Sequence, residues 1–190
     1  MANDCWNNVI IRGDEETLKE LYKRFTSTEN GVFNLNNYKN LFDSDVSDMT
    51  DEDDWGSKRF TPECEIVNGD LHIYGDSAWT PMEGLFETIC CEWGVEGELN
   101  YEEQGYDFAG KVCWDSKGVI TNSEEWTYWE KMYLFEANNF WEEMTWRHEI
   151  YESFDEFVED FNLSKWKDSS ILDISKLKEI WDKYKLEENE

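Results

Sequence analysis

The chain has 190 residues, 39% of them apolar and 16% aromatic, and its 45 acidic against 17 basic side chains leave a formal charge of −28. That length holds one ordinary core, or one core with a helical appendage, and argues against two large domains. The 11 Trp, 11 Phe and 9 Tyr supply buriable area that disordered chains lack, while the shortage of Lys and Arg argues against direct DNA or RNA binding, which draws affinity from cations displacing counterions at phosphates.

The start, Met1-Ala2-Asn3-Asp4-Cys5, lacks the basic and apolar regions of a signal peptide, and no apolar stretch approaches the roughly 20 residues that span a bilayer. A cytoplasmic protein without a membrane partner is expected. Five cysteines (Cys5, Cys64, Cys90, Cys91, Cys113) are odd in number and irregular in spacing, which fits reduced, mostly buried thiols better than a disulfide framework.

In chain order, β-branched content predicts a strand over 5–12, closed by Gly13. Leu18, Leu21, Tyr22 and Phe25 then recur at helical spacing over 14–25, with Asp14 placed to cap the start. Residues 26–54 are polar and Asn-rich with scattered Phe33, Leu35, Tyr38, Leu41 and Phe42, and read as an acidic insertion or long loop. Strands at 63–67 and 70–74 flank Asn68-Gly69, the strongest short hairpin signal. A second helix fits 81–93, with Pro81 in its first turn, Leu85, Phe86, Ile89 and Cys90 on one face, and Gly94 ending it. Strand-like runs follow at 98–102, 106–114 and 119–121, and the aromatic stretch 126–135 also reads as strand.

From residue 138 the period turns helical. Phe140, Met144, Tyr151, Phe154, Val158 and Phe161 form one stripe, and Ile174, Leu177, Trp181 and Tyr184 another within 171–186. The expectation is an α+β domain over 1–137 and a helical extension over 138–190. The last 28 residues hold six Lys against seven acids, so 11 basic and 38 acidic residues are left in 1–162, and the body carries the field.

Several short motifs stand in order: Ala2-Asn3-Asp4-Cys5-Trp6-Asn7-Asn8 leading into Val9-Ile10-Ile11 and Gly13, Trp55-Gly56-Ser57-Lys58, Ala78-Trp79-Thr80-Pro81, and Tyr101-Glu102-Glu103-Gln104-Gly105 with Phe108-Ala109-Gly110. Residues 2–110 resemble the YubB-type ferredoxin-like family of plasmid and bacteriophage proteins. The resemblance implies a β-α-β-β-α-β antiparallel sheet and a mobile-element origin, hence a host cytoplasm if the chain is phage-encoded, but no chemistry to transfer. The sequence departs in having one proline after Trp79-Thr80 and a helical end after residue 137. Physically these motifs read as architecture, Gly105 and Gly110 bracketing a strand that packs Phe108 and Trp79-Thr80-Pro81 fixing the start of a helix. A functional reading makes Asn7 and Glu102 or Glu103 part of a pocket.

Catalytic signals are thin. His72 and His148 sit in no Ser/His/Asp, Cys/His or His-x-x-x-His arrangement, and no glycine-rich phosphate loop stands between a strand and a helix. No cysteine pair has zinc spacing, and 43–54 lacks the Gly and Glu that a calcium loop needs. No enzyme, cofactor or metal is expected.

Acid is concentrated in three stretches. Asp43, Asp45, Asp48, Asp51, Glu52, Asp53 and Asp54 stand without a base in 43–54, and 92–107 holds six acids without a base. Glu142, Glu143, Glu149, Glu152, Asp155, Glu156, Glu159 and Asp160 are opposed only by Arg147. On a helix, Glu152, Glu156 and Asp160 fall about 6 Å apart along the axis, like a row of phosphates, at a cost of a few tenths of a kcal/mol per like pair. These patterns point to an acidic protein-binding inhibitor that imitates nucleic acid and blocks the basic groove of a host defence complex such as CRISPR or restriction. Its contacts would come from 43–54 and 142–160, with Trp141, Trp146 and Tyr151 as anchors. The alternative is a mobile-element accessory protein with a small-molecule or peptide site on its sheet, its acidity serving solubility or a saline habitat. The sequence does not indicate an oligomeric state.

Overall fold

The computed structural model describes residues 4–27, 41–42, 56–57, 59–135, 153–160, 175, 177–179 and 181–182. Two compact units divide the chain, Met1–Tyr128 and Trp129–Glu190. The first is α+β, with strands β1 (Asp4–Arg12), β2 (Phe60–Val67), β3 (Asp70–Ala78), β4 (Glu96–Glu103), β5 (Phe108–Trp114) and β6 (Ile120–Trp126) and helices α1 (Glu15–Thr26) and α2 (Glu83–Trp93). Helix α3 (Tyr128–Phe135) follows, and α4 (Phe154–Asp160) belongs to the second unit.

The six strands form one sheet in the order β2-β3-β1-β4-β5-β6, every neighbouring pair antiparallel. Local chemistry sets its pieces. Asn68 and Gly69 take φ of 55° and 96°, the two left-handed residues that a tight hairpin turn requires, and they join β2 to β3. Asp14 caps α1 by accepting the Thr17 N–H at 3.0 Å. Gly94, at φ 64°, ends α2 in a left-handed cap, and the Val95 N–H turns back to the Cys90 carbonyl at 3.2 Å.

Alternation along the strands then divides the sheet. Val9 and Ile11, Leu71 and Ile73, and Leu99 with Val112 turn to one face, where Leu18, Leu21 and Phe25 of α1 and Leu85, Phe86 and Ile89 of α2 cover them in one apolar cluster. Each such side chain stabilises the fold by about 1.5–3 kcal/mol when fully buried. Phe60 meets Phe86 edge to face at 6.0 Å. The two helices touch where Arg24 lies 4.7 Å over the Trp93 ring.

Several expectations need correction. The stretch 126–135 is not strand: β6 ends at Trp126, and Tyr128–Phe135 is helical, its Tyr128 and buried Met132 spaced four apart. Strand propensity of aromatics yields there to the helical period. The described units therefore part at 128/129, ahead of the 137/138 division read from sequence. Gly110 does not bracket a strand but lies inside β5, because a side chain there would strike the Tyr101 phenol 2.3 Å away. Of the insertion, Leu41 and Phe42 are buried in the core, and the Leu41 carbonyl accepts the Trp93 Nε1–H at 2.9 Å.

In the second unit, Phe154 and Phe157 are the buried residues of α4, with Val158 half-buried. Phe157 stacks on Trp181 at 5.1 Å, and Leu177 is buried as the helical spacing predicts. No described helix is long and apolar enough to cross a membrane.

Candidate functional site

Most of the acidic residues expected to bind a partner lie outside the described residues: Asp43, Asp45, Asp48, Asp51, Glu52, Asp53, Asp54, Glu142, Glu143, Glu149 and Glu152, with the anchors Trp141, Trp146 and Tyr151. Glu156 and Glu159 are described. Both are exposed on α4, opposite its buried Phe154 and Phe157, and Asp160 is the last residue of that helix.

The four motifs meet at one end of the sheet. Asn7, fully buried on β1, donates to the Cys5 carbonyl at 2.9 Å, the Gly75 carbonyl at 3.2 Å and Ser77 Oγ at 2.8 Å, and its Oδ1 accepts the Met82 N–H at 3.0 Å. Met82 stands at the N-cap of α2 without a side-chain cap of its own, so a strand residue anchors the helix start. Ser57 Oγ holds both sides of the Ala78 peptide unit, accepting its N–H and donating to its carbonyl at 2.8 Å each. Ser77 Oγ reaches the Thr80 carbonyl at 2.6 Å, and Thr80 Oγ1 bonds the Gly56 carbonyl. Gly56, at φ 99°, passes so close to Pro81 that a side chain would meet its carbonyl at 2.2 Å. Glu103, also buried, accepts the N–H groups of Gly105 and Tyr106. Asn7 and Glu103 thus spend their polar atoms on the fold rather than on a pocket.

This network presents two rings. Trp79 sits at φ 73°, a conformation that costs a bulky residue on the order of 1–3 kcal/mol, and it persists because Ser57, Ser77 and Thr80 pin the backbone on both sides. Its side chain is 43% exposed and lies 5.9 Å from the ring of Tyr106, itself 63% exposed. Sequence reading singled out Trp79 as a helix-start marker; its exposure follows from a backbone angle that local sequence does not signal.

The face of the sheet away from the helices is acidic. Asp4, Glu63, Glu65, Asp70, Asp76, Glu96, Glu98, Glu102 and Glu124 share it with Arg12, Lys111 and Arg59, the last paired to Asp4. Two of these cations gather on Glu98, Lys111 at 2.8 Å and Arg12 at 3.6 Å, with Asp70 3.5 Å from Arg12. Partial burial raises the Glu98 carboxyl, but hydrogen bonds from Lys111 and Asn100 outweigh it and hold the group below its ordinary range. His72 lies on this face, its ring 6.3 Å from that of Tyr74. The sequence marks Glu96, Glu98 and Glu102 within the acidic run 92–107, but Glu63, Glu65, Asp70, Asp76 and Glu124 are scattered singly there; the alternation Asp70-Leu71-His72-Ile73-Tyr74 is the signal that places them.

Within that face, Trp6, Thr61, Pro62, Glu63, Tyr74, Gly75 and Asp76 line an open groove of about 340 Å³. A second cleft, about 300 Å³, lies by the start of α2 between Pro81, Glu83, Tyr101, Phe108, Glu125 and Trp126. Burial pushes the Glu83 carboxyl up against a hydrogen bond from Tyr101, and burial with the Glu83 and Glu125 charges pushes the Tyr101 phenol up in turn. No thiol or imidazole is among the described residues that line this cleft. Burial raises the Cys5, Cys64 and Cys90 thiols to about 12, which leaves them unreactive, and all five cysteines are free. Among the described residues no group of three His, Cys, Asp or Glu is arranged to hold a metal.

Comparison with family models, curated proteins and solved structures gives no match for this chain.

Proposed function

We propose that this protein is an acidic binding inhibitor that imitates nucleic acid and occupies the basic groove of a nucleic-acid-handling host complex, of the restriction or CRISPR kind. The observation that carries the reading is the sign of the open sheet face, where carboxylates outnumber Arg12, Lys111 and Arg59 and stand exposed at Glu63, Glu65, Asp76, Glu96 and Glu124. A nucleic-acid-binding sheet would place cations and aromatics there. The reversed sign favours the partner that such a sheet would otherwise resemble, and a field of this size accelerates encounter with basic surfaces. The exposed pair Trp79 and Tyr106 supplies contacts less sensitive to salt than charge alone. The acidic stretches 43–54 and 142–160 extend the same charge in sequence.

The first four strands support a finer proposal. The order β2-β3-β1-β4, with α1 joining β1 to β2 and α2 joining β3 to β4, fits a ferredoxin-like β-α-β-β-α-β unit to which β5 and β6 add an edge. The YubB-type resemblance of residues 2–110 remains a proposal on the same footing.

The test is retention of host proteins from lysate at two salt concentrations, followed by competition with labelled DNA or RNA for the purified complex that is retained. Displacement of nucleic acid that weakens with salt, and that fails when Glu63, Asp76 and Glu124 are changed to Lys, is the expected result. Displacement indifferent to both salt and charge reversal would refute mimicry.

A further inference from the structure

We infer that the groove beside Trp6 is a receptor for an arginine side chain of the protein partner, an inference that rests on the basic partner proposed above. Cross-strand register builds it. Asp76 pairs with Trp6 on one side and Thr61 on the other, while Glu63 pairs with Tyr74 in the next row. Glu63 and Asp76 are therefore diagonal neighbours on the open face, about 7–8 Å apart at the backbone. Longer acidic side chains can close that distance around one planar cation.

Three features select the occupant. Glu63 and Asp76 are exposed and have no ion-pair partner among the described residues, whereas Glu98 and Asp70 on the same face already hold Arg12 and Lys111. Trp6, 39% exposed, and Tyr74 give the groove aromatic walls, the surface on which a guanidinium stacks. The Tyr74 hydroxyl is turned away to Glu65, so the lining offers carboxylate acceptors rather than a competing donor at that ring. The lining thus suits a flat group with several N–H donors and an apolar stem. Arginine meets that description better than lysine, whose compact ammonium neither stacks nor bridges two carboxylates in a plane.

The test titrates the whole chain with nona-arginine and, separately, nona-lysine at low salt, following Trp indole signals by NMR, with Trp6 assigned from Trp6→Phe. Nona-arginine is expected to bind more tightly than nona-lysine and to move the Trp6 signal. Glu63→Gln with Asp76→Asn should weaken nona-arginine by about tenfold or more, while the control Glu96→Gln with Glu124→Gln, which removes the same charge from the same face, should weaken it much less. All these positions are exposed, and unchanged amide spectra of the variants verify the fold. Equal weakening by the two double variants, or equal affinity for the two peptides, would overturn the groove and leave the basic-partner reading standing. Failure of both peptides to bind at low salt would overturn both readings.

Discussion

The two faces of the sheet obey opposite rules. Beneath α1 and α2 the side chains are apolar, and the buried polar groups there, Asn7, Ser57, Ser77 and Glu103, cluster at one end with hydrogen bonds inside the fold. On the open face carboxylates stand with few cations. The difference separates motif from charge: the short motifs mostly build the covered face and its rim, the helix start and the β4–β5 turn, lending only Trp6 and Trp79 to the exposed surface, while most of the open-face carboxylates lie outside them.

Removing a covered ring tests that division most severely. Phe86→Ala should cost about 4 kcal/mol in urea unfolding, from lost burial and the cavity against Phe60. Asn7→Ala should follow at about 3 kcal/mol, because it strands the Met82 N–H and the Gly75 carbonyl in a dry site. A loss near zero would show that water replaces Asn7, and the motif end would no longer count as a sealed joint.

Glu83, at the margin of the covered face, gives a pH signature. A carboxyl that titrates higher in the folded chain than in the unfolded one favours folding while protonated. Glu83 therefore works against stability increasingly as pH rises past its ordinary 4.5 and through its raised value. Glu83→Gln should gain on its parent as urea melts are moved from about pH 4 to about pH 8, and a constant difference would refute the burial assigned to that carboxyl. The smallest effect belongs to the open face, where Glu96→Gln and Asp76→Asn should each stay within about 0.5 kcal/mol of the parent in the same melts. A larger loss would mean that this face is structural as well.

Local chemistry made much of the fold legible. Asp14 as a cap, Asn68-Gly69 as a hairpin and Gly94 as a stop each act within a few residues, so the sequence around them suffices. The aromatic run 126–135 misled because its residue types favour strand while the spacing of Tyr128 and Met132 favours helix. Leu41 and Phe42 gave no periodic signal and join the core through a distant Trp93. The groove was not legible at all, since it exists only when β1, β2 and β3 pair in a register that sets residues 6, 63 and 76 together. The acidic stretches expected to bind lie mostly outside the described residues, so the candidate site now rests on different carboxylates from those first singled out.

Strand β6 bounds the sheet with residues exposed along nearly its whole length, Thr121 to Glu125 all polar. An outermost strand is a template on which another chain can zip, and proteins that carry one must discourage their own copies. Here a second β6 laid alongside would bring Glu124 and Glu125 of each copy into the repulsion of the other's. Charge at that margin thus works against pairing between copies as they crowd together during synthesis.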